Sequence, residues 1–480
     1  MRKNQKTYDI LFVIPHYGAK DGFIWKAIEY RFHSPGVLSM AAFLRQNNFN
    51  VLVFDCNLEQ IQEKDFVNEF KKRYSNYNFR FIGVSTATQT ANQAYRISFE
   101  LKKILPYTKI VFGGPHPTAL PNDVLENSAA NFVVMGEGEN PILDILNNKS
   151  NDEIKGLAYK NGDEIIVNQA SERLSLNDDF PLPAYDLVPM HLCKPLIASY
   201  KKLPATIMLT ARGCPGNCTF CSRTMGHQLR EMSPKRIIKE LEVLYYEYGF
   251  RQIIFYDDTF ISNRERISEF CDLLIESEMK ISWTCSSRVD RVYPDLLQKM
   301  KNAGCHQIMY GVESFNDDVL KNINKRTNRQ DILFAISETR KVGIEVRAAL
   351  MLGNKGDTEE ILKENLKCLK KTKPDLLQLT ITTPLPGSKI FQEASQANKI
   401  LTYNWDDYEG DVQIMEHENL DYKTLRKYYR KTYMSFYLRP SFIFKTLFSI
   451  NSLQALKTIM LGAVAISQMF FVSIFKSFKR

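Results

Sequence analysis

In 205-ATIMLTARGCPGNCTFCSR-223 an apolar strand runs directly into a loop with three closely spaced cysteines. Cys214, Cys218 and Cys221 form a C-x3-C-x2-C array, the only cysteine cluster among the nine cysteines of the 480-residue chain. Loops that follow the strands of a parallel α/β barrel carry its chemistry. The stretch therefore predicts a barrel whose first loop presents three thiolates.

Five further strands and five helices are predicted after this loop, in alternation. The strands are 252-QIIFYD-257, 281-ISWTC-285, 307-QIMYGVE-313, 345-EVRAALML-352 and 376-LLQLTIT-382, and the helices lie near 234–248, 264–278, 294–302, 328–342 and 358–371. Ser233 and Pro234 open the first helix as an N-cap and an N1 proline. Six β/α units predict a partial (β/α)6 barrel over residues 201–400.

A second alternation of strands and helices precedes the barrel. Apolar runs at 8-YDILFVIP-15, 51-VLVFD-55, 80-RFIGVS-85, 109-KIVFGG-114 and 132-FVVMG-136 are separated by amphipathic stretches around 37–46, 59–72, 91–104 and 121–127. This pattern predicts a Rossmann-like, doubly wound parallel sheet over residues 1–148. Residues 149–200 are predicted to be a linker and 401–480 a helical C-terminal region. No G-x-G-x-x-G motif is present, which disfavours a nicotinamide dinucleotide.

The basic excess of the chain lies in its tail. The formal net charge is +9, but eleven of the 63 Lys and Arg residues, and no Asp or Glu, lie between Tyr422 and Arg480. The preceding chain is near neutral, with 52 basic and 54 acidic residues. Binding of nucleic acid requires basic residues on a folded face with aromatic platforms, so this class of function is disfavoured.

Three thiolates without a fourth ligand favour an iron–sulfur cluster over zinc. A structural zinc site needs four ligands, and the sequence has no second C-x2-C pair and no H-x3-H motif. Five further cysteines are scattered, and most of them fall in predicted strands or helices as small core residues: Cys193, Cys271, Cys285, Cys305 and Cys368. Cysteine thiolates hold iron–sulfur clusters, and with three of them one iron keeps an open position for a substrate or cofactor.

The array, with an aromatic residue (Phe220) before its last cysteine, resembles the radical S-adenosylmethionine (SAM) superfamily. The N-terminal stretches 113-GGPHPT-118 and 132-FVVMGEGE-139 are similar to the cobalamin-binding domain of its vitamin-B12-dependent branch. That branch includes anaerobic magnesium-protoporphyrin monomethyl ester cyclase and hopanoid-modifying enzymes. Further matching stretches are 256-YDDTF-260, 287-SRVDRV-292, 303-AGCHQIMYGVES-314 and 384-PLPGS-388. The resemblance covers residues from about 8 to 400 and indicates a class, not a substrate.

The resemblance implies that Cys214, Cys218 and Cys221 hold a [4Fe-4S] cluster whose fourth iron is chelated by the amine and carboxylate of SAM. Reductive cleavage of SAM would give methionine and a 5′-deoxyadenosyl radical that abstracts a substrate hydrogen. The residues implied in SAM binding are Phe220 beside the adenine, Asp257 and Asp258 near the methionine amine, Arg288 and Glu313 at the carboxylate or ribose, and Gly353 where the fifth strand approaches the adenine. Without the nearby cysteines, ion pairs at the barrel mouth would also explain the charged residues.

Cobalamin is expected at the carboxyl ends of the N-terminal strands, where Gly and hydroxyl residues permit close approach of the backbone to a large ligand. The candidates are Ser85, Thr86, Thr88, Gly113, Gly114, His116, Gly136 and Glu137. The D-x-H-x2-G loop that supplies an axial histidine in other B12 proteins is absent, since His16 in 14-IPHYGAKDG-22 lacks the flanking Asp and Gly. Cobalt therefore has no predicted lower histidine ligand. His116 fits a hydrogen-bonded turn histidine better than a cobalt ligand.

The C-terminal region admits two interpretations. Eighteen uncharged residues, 458-TIMLGAVAISQMFFVSIF-475, reach the lower length limit of a transmembrane helix. The preceding 423-KTLRKYYRKTYMSFYLRP-440 is basic and aromatic, which favours an anionic membrane surface. A C-terminal helix packed on the barrel explains the pattern equally well. Because no secretory signal is recognised at the N-terminus, the expected location is the cytoplasm, with membrane association through this region as a hypothesis.

The sequence thus predicts a cobalamin-dependent radical SAM enzyme with a small, apolar substrate. The leading reaction is methylation of an unactivated carbon, with methylcobalamin as the donor. The alternative is oxidative cyclisation or another radical rearrangement of a porphyrin-like or isoprenoid substrate. A non-catalytic metal-binding redox sensor is a more distant alternative, because a sensor needs neither α/β domain. An electron donor such as flavodoxin or ferredoxin is the expected protein partner.

Overall fold

The apolar runs of the first third of the chain form a seven-stranded sheet in the computed structural model, which describes residues 6–17, 30–196, 199–440 and 442–443. The strands are β1 (Lys6–Ile14), β2 (Val51–Asp55), β3 (Tyr77–Ser85), β4 (Lys109–Gly113), β5 (Phe132–Val134), β6 (Leu157–Asn161) and β7 (Glu164–Val167). Their order is β2-β1-β3-β4-β5-β6-β7, and β1 to β5 are parallel. This doubly wound order has its switch point between β1 and β3, where sheets of this kind bind ligands.

Helices cover both faces of the first sheet, as predicted. They are α1 (Pro35–Gln46), α2 (Glu63–Tyr74), α3 (Ala91–Ile104), α4 (Pro115–Ala119), α5 (Pro121–Asn127) and α6 (Glu139–Leu146). The far edge differs from the prediction, because the antiparallel hairpin of β6 and β7 lies inside the range assigned to a linker. Only the start of β6 is deeply buried and β7 has no buried residue, so the hairpin leaves a weak hydrophobic pattern.

The second large sheet confirms the predicted partial barrel. Its six parallel strands are β8 (Ala205–Met208), β11 (Gln252–Phe255), β12 (Ser282–Arg288), β13 (Cys305–Glu313), β14 (Glu345–Leu352) and β15 (Leu376–Ile381), in the order β15-β14-β13-β12-β11-β8. Two short strands, β9 (Ala211–Arg212) and β10 (Arg230–Glu231), form a separate antiparallel hairpin. The residues between β9 and β10 include all three cysteines of the array.

Helices follow the barrel strands on the outside. They are α7 (Pro234–Glu242), α8 (Arg264–Glu276), α9 (Pro294–Asn302), α10 (Asp317–Asn322), α11 (Arg329–Lys341), α12 (Glu359–Thr372) and α13 (Lys389–Gln396). Ser233 caps α7 as predicted, since its hydroxyl accepts a hydrogen bond from the backbone N–H of Arg236 at 3.1 Å, and Pro234 is at the start of the helix. The helical path then continues through a π-helical turn, Val243–Glu247.

The chain after the barrel returns to the first sheet and then back to the barrel. Trp405, Tyr408 and Ile414 belong to the hydrophobic core on one face of the first sheet. The last described long helix, α14 (Tyr422–Tyr437), packs along the edge strand β15. No helix among the described residues is long and apolar enough to cross a membrane. The predicted segment 458–475 lies outside the described residues.

Candidate functional site

The cysteine loop, residues 213–229, is held at its root by one buried carboxylate and by the β9–β10 hairpin. Asp257, just beyond the end of β11, accepts hydrogen bonds from the backbone N–H groups of Thr210 at 2.6 Å and Ala211 at 3.0 Å. Burial raises the pKa of Asp257 to about 6, although the hydrogen bonds from Thr210 oppose this shift. Asp257 therefore fixes the start of the loop from the neighbouring strand.

The three cysteines predicted to bind a cluster lie on this loop as free thiols. Cys218 is buried, and Cys214 and Cys221 are half-buried. Burial raises the pKa of Cys218 and of Cys221. The positive charges of Lys325 and Arg288 lower the pKa of Cys218 and so favour its thiolate form. The loop therefore presents its thiols beside two cations.

The donor set of the loop suits a polynuclear cluster. Within the described part of the chain, no group of three or more His, Cys, Asp or Glu side chains is placed to hold a single metal ion. The thiolates of a four-iron cluster bind different irons, so they need not converge on one point. Three sulfur donors also leave one iron without a protein ligand. The residues present therefore fit a [4Fe-4S] cluster with an open iron.

A buried ion pair lies beside the cysteine loop. Lys325 Nζ is 2.8 Å from Glu313 Oε1, and each side chain is only 8% exposed. Lys325 Nζ is also 5.9 Å from the centre of the Phe220 ring. The pair lies close against β13, because a Cβ at Gly311 would be 2.6 Å from Glu313 Oε1 and 2.7 Å from Lys325 Nζ. Glycine at position 311 thus leaves room for the pair.

Two more of the residues implied in SAM binding lie beside the cysteines. Arg288 binds both carboxylate oxygens of Asp290, each at 2.9 Å, and donates to the carbonyl oxygen of Lys325 at 2.9 Å. These contacts hold the guanidinium near the thiols of the loop. Asp258 is exposed, and its charge raises the pKa of Cys221. Both charged groups border the loop, where a ligand of the open iron would lie.

Gly353 is in contact with His417 in this structure, whereas the family resemblance implies that it lies near the adenine of SAM. Its φ is +82°, and a Cβ here would be 2.7 Å from the His417 ring. His417 Nδ1 is hydrogen-bonded to the Gly353 carbonyl oxygen at 2.7 Å. Asp357 Oδ2 accepts hydrogen bonds from the N–H groups of Gly353 at 3.0 Å and Asn354 at 2.9 Å. The close approach that glycine permits is therefore to His417, and contact with adenine stays a prediction.

The ends of β3, β4 and β5 form a surface of small residues. The Thr86 hydroxyl is buried and has no hydrogen-bond partner among the described residues. Gly114 has a φ of +108°, and a Cβ there would be 2.7 Å from the Thr86 carbonyl oxygen, so only glycine allows this packing. Ser85 pairs with Gly113 at the strand ends, and no described atom lies within 4 Å of a Cβ at Gly136. The unpartnered hydroxyl and the open side of Gly136 fit a large ligand.

Thr88 and His116 belong to a buried hydrogen-bond network. His116 Nε2 is 2.8 Å from the Tyr95 hydroxyl and 3.2 Å from Asp123 Oδ2, and His116 Nδ1 is 3.3 Å from the Thr88 hydroxyl. Trp405 Nε1 donates to the same oxygen of Asp123 at 3.2 Å. Because protein groups engage both ring nitrogens and the imidazole is fully buried, His116 has the environment of a structural histidine rather than of a cobalt ligand.

Glu137 faces the barrel. Its carboxylate is 3.2 Å from Arg212 and also pairs with Arg230, the two residues that bracket the cysteine loop. Burial raises the pKa of Glu137, but the two guanidinium groups outweigh burial and hold that pKa below its usual value. Glu137 therefore connects the first sheet to the root of the loop.

Aromatic side chains from both units meet at the mouth of the barrel. Tyr256, just after β11, is 55% exposed, and Tyr30 from the N-terminal unit is 42% exposed. Their hydroxyl groups are hydrogen-bonded to each other, and burial of the hydroxyls raises the pKa of both. The two rings therefore offer apolar surface to solvent at the junction of the two units.

Sequence reasoning missed Lys325, His417, Arg212 and Arg230. Lys325 follows a short helix and belongs to no recognisable motif, and the chain separates it by 12 residues from its partner Glu313. Arg212 is separated by 75 residues from Glu137. Two residues that pair over such distances in sequence produce no periodic pattern by which the pair could be recognised. Only the position of Arg212 directly before the array could have indicated its importance.

Two family models match the chain. The model of the radical SAM superfamily matches residues 208–369, which include the cysteine loop and most of the barrel. The model of the B12 binding domain matches residues 23–146, which include most of the first sheet.

Proteins of similar sequence include methyltransferases and a cyclase. An uncharacterized methyltransferase of Pyrococcus horikoshii is 32% identical over 422 residues, which cover 86% of this chain and 89% of the relative. Anaerobic magnesium-protoporphyrin IX monomethyl ester cyclase of Rubrivivax gelatinosus is 25% identical, covering 90% and 78%. Bacteriochlorophyllide d C-8(2)-methyltransferase of Chlorobaculum tepidum is 24% identical, covering 82% and 86%.

Solved structures share the fold over most of the chain. The cobalamin-dependent S-adenosylmethionine radical enzyme OxsB, with aqua-cobalamin and S-adenosylmethionine bound, has a TM-score of 0.72 at 17% identity and covers 96% of this chain and 71% of its own. The radical S-adenosylmethionine methyltransferase TsrM from Kitasatospora setae, with cobalamin and a [4Fe-4S] cluster bound, has a TM-score of 0.64 at 15% identity, covering 83% and 79%.

Proposed function

The chain belongs to the radical SAM superfamily, in the branch with a B12 binding domain, and from this premise we propose that it methylates an unactivated carbon of a small, apolar substrate. The observation that carries the proposal is the contact between the three-thiol loop and the B12-type sheet, through Glu137, Arg212 and Arg230. This contact would bring the proposed places for a cluster and for cobalamin next to each other. Relatives that are named methyltransferases support methyl transfer.

The residues of the loop would hold the cluster and SAM. When bound, a reduced [4Fe-4S] cluster cleaves SAM to methionine and a 5′-deoxyadenosyl radical, and cobalamin carries the methyl group. Cys214, Cys218 and Cys221 would supply the three thiolates. Lys325 and Arg288 hold positive charge beside them, and each is paired with a carboxylate of this chain, Glu313 and Asp290. Phe220, Asp257, Asp258, Glu313 and Gly353 complete the proposed SAM set, with Asp257 acting through the backbone of the loop.

The strand ends of the first sheet would hold cobalamin. The Thr86 hydroxyl offers a buried donor, Gly113 and Gly136 leave room for a large ring beside Ser85, and Gly114 allows the backbone to pack against Thr86. Thr88 and His116 support this surface from beneath through their hydrogen-bond network. Neither supplies an evident axial ligand, so we propose that the lower face of cobalt receives no histidine from these loops.

The proposed apolar substrate rests on the tyrosines at the barrel mouth. Tyr30 and Tyr256 present exposed rings from the two units. Aromatic rings bind flat apolar groups and exclude water from the reacting atoms. These rings therefore suit a substrate with a ring or an isoprenoid chain.

Oxidative cyclisation, or another radical rearrangement of a porphyrin-like or isoprenoid substrate, is the second candidate. The cyclase of Rubrivivax gelatinosus covers 90% of this chain, more than the 86% and 82% of the two methyltransferases, and it favours this alternative. The two reactions differ in whether a methyl group leaves SAM.

A labelled-methyl experiment separates the candidates without knowledge of the substrate. The protein is loaded anaerobically with iron, sulfide and reduced cobalamin and given SAM with a trideuterated methyl group. We expect S-adenosylhomocysteine together with deuterated methyl bound to cobalamin. Formation of 5′-deoxyadenosine without any labelled methyl on cobalamin would contradict methyl transfer and favour the cyclase.

Two partners complete the proposal. A small acidic electron carrier, flavodoxin or ferredoxin, would approach the exposed side of the cysteine loop, where Arg223 and His227 lie 3.1 Å apart. An anionic membrane surface would contact the tail after α14, where Leu438 and Ile443 are exposed. The enzyme would then act in the cytoplasm at a membrane surface, where apolar substrates partition.

A further inference from the structure

Two glutamates of the B12-type unit and two arginines of the barrel form one buried ion-pair cluster. Arg212 Nη1 is 3.2 Å from Glu137 Oε2, and Arg212 Nη2 is 2.7 Å from Glu139 Oε1. Arg230 pairs with both carboxylate oxygens of Glu137, one of them at 2.9 Å. The four side chains are between 4% and 11% exposed. Water therefore screens these charges only weakly.

The cluster joins two loops that have different proposed ligands. Arg212 and Arg230 are register partners across the β9–β10 hairpin, so they stand at the two ends of the cysteine loop. Glu137 directly follows Gly136 in the loop after β5, one of the strand ends proposed to hold cobalamin. One carboxylate therefore contacts both ends of the cysteine loop and belongs to the cobalamin edge.

The two arginines also contact residues outside the ion-pair cluster. Arg230 Nη1 also donates to the carbonyl oxygen of Leu174 at 2.7 Å, and Arg212 Nη2 donates to the Ser39 hydroxyl at 3.0 Å. With two guanidinium groups on its carboxylate, Glu137 has little capacity left to bind a ligand. Buried ion pairs add little net stability compared with apolar packing. Their directional hydrogen bonds nevertheless fix the relative positions of the groups that they join.

We propose that Glu137 is a positioning residue that fixes the separation between the cysteine loop and the cobalamin edge, and not a direct contact of cobalamin. The inference rests on the proposed function, because methyl transfer between groups held by two loops requires that the loops keep a fixed distance. A displacement of about 1 Å is enough to lower the rate of such a reaction about a hundredfold.

The direct test measures the distance between the two paramagnetic centres and needs no substrate. The protein is loaded with cob(II)alamin and a reduced cluster, and the magnetic dipolar interaction between them is measured by EPR spectroscopy. The variant Glu137→Gln keeps the shape of the side chain and removes its charge. We expect a single narrow distribution of separations in the parent protein and a distribution at least twofold broader in the variant, with cobalamin still bound.

Glu240→Gln is the matched control. Glu240 is also a buried partner of an arginine, Arg236 at 3.4 Å, but it lies on α7, and neither its carboxylate nor Arg236 contacts the cysteine loop or the strand ends in the described structure. We expect its distribution to match the parent. A Glu137→Gln distribution as narrow as the parent's, with both signals present, would overturn the inference and leave the proposed function intact. Absence of the cluster or of cobalamin from the parent protein would instead defeat the proposed function.

A second variant covers the case in which Glu137→Gln does not fold. Arg230→Lys retains the charge but cannot bind both carboxylate oxygens in a plane. In this variant we expect amide hydrogen exchange in residues 213–229 to be about tenfold faster than in the parent, with exchange in β13 unchanged. Equal exchange in residues 213–229 would contradict the role of the cluster.

Discussion

At the scale of the residue, Lys325 determines the charge balance beside the cysteine loop. Lys325→Met would leave the buried carboxylate of Glu313 without its 2.8 Å partner. Removal of one member of a buried ion pair costs about 3 to 5 kcal/mol, and we expect a loss of this size in the free energy of unfolding. Chemical denaturation measures it.

The double variant Glu313→Gln, Lys325→Met is the internal control, because it removes both charges. We expect it to recover most of the lost stability. Lys321→Met, at an exposed position of α10, should leave stability unchanged. Equal destabilisation of the single and double variants would mean that packing, and not the ion pair, explains the loss.

Asp357 is predicted to make stability depend on pH. Its Oδ1 atom is buried without a hydrogen-bond partner among the described residues, and burial raises its pKa to about 7. The native state therefore favours the protonated form. The stabilisation is fully present below the unfolded pKa of about 4 and is lost as pH rises through about 7.

Asp357→Asn should remove this dependence. The amide oxygen can still accept hydrogen bonds from the N–H groups of Gly353 and Asn354, but the side chain no longer ionises. We expect the melting temperature of the variant to fall less steeply between pH 4 and 7 than that of the parent. Parallel melting curves over that range would contradict the assignment.

At the scale of the element, α14 completes the open edge of the barrel. The hydroxyl groups of Tyr433 and Tyr437, one helical turn apart, donate to the carbonyl oxygens of Leu379 (3.3 Å) and Leu377 (2.9 Å) on β15. Side chains of α14 therefore supply some of the hydrogen bonds of the edge strand β15.

Replacing these tyrosines by phenylalanine should destabilise the edge strand. Tyr433→Phe and Tyr437→Phe each leave one carbonyl oxygen without its donor, and we expect a loss of about 1 kcal/mol for each. Amide exchange in β15 should rise in both variants. Tyr422→Phe, at an exposed position of the same helix, is the control. No change in β15 for all three variants would show that the hydroxyls are dispensable.

Continuous apolar runs made the parallel strands of both sheets predictable from the sequence. β6 and β7 escaped prediction because an edge hairpin buries few residues. The environment of Gly353 escaped it for another reason, since His417 reaches that glycine from 64 residues further along the chain. Sequence patterns report burial within an element, whereas contacts between distant segments depend on how the elements pack.

The same limit applies to the candidate site. The cysteine spacing singles out the three residues proposed to hold the cluster, because three thiols on one loop are a local feature. The position of Glu137 after β5 favours a contact with cobalamin, but its partners Arg212 and Arg230 stand 75 and 93 residues away in sequence. The ion pairs with these two arginines orient the Glu137 side chain, and the sequence does not reveal them.

At the scale of the whole molecule, the two α/β units interlock. One hydrophobic core extends from α1 and the first sheet, through linker residues such as Tyr185 and Met190, to the barrel helices. On the other face of the first sheet, Trp405 and Tyr408 return from beyond the barrel. This interlocking suits a reaction that needs both units at one cleft.

The tail beyond residue 443 is predicted to bind anionic membranes. Removal of residues 444–480 leaves α14 with its buried side chains Tyr428 and Phe436, so the fold should be retained. We expect the full chain, and not the shortened one, to sediment with phosphatidylglycerol vesicles, and added salt to weaken the association. Equal sedimentation of the two chains would remove the membrane proposal.

Anaerobic cleavage of SAM tests whether the cysteine loop holds a radical SAM cluster. The chain is reconstituted with iron and sulfide, supplied with cobalamin, SAM and a strong reductant, and the products are identified by mass spectrometry. We predict four irons per chain and 5′-deoxyadenosine formation that is lost in Cys218→Ala, with the fold retained. A parent protein that binds one zinc ion and no cluster, or equal formation of 5′-deoxyadenosine without Cys218, would contradict the assignment of a cluster to this loop.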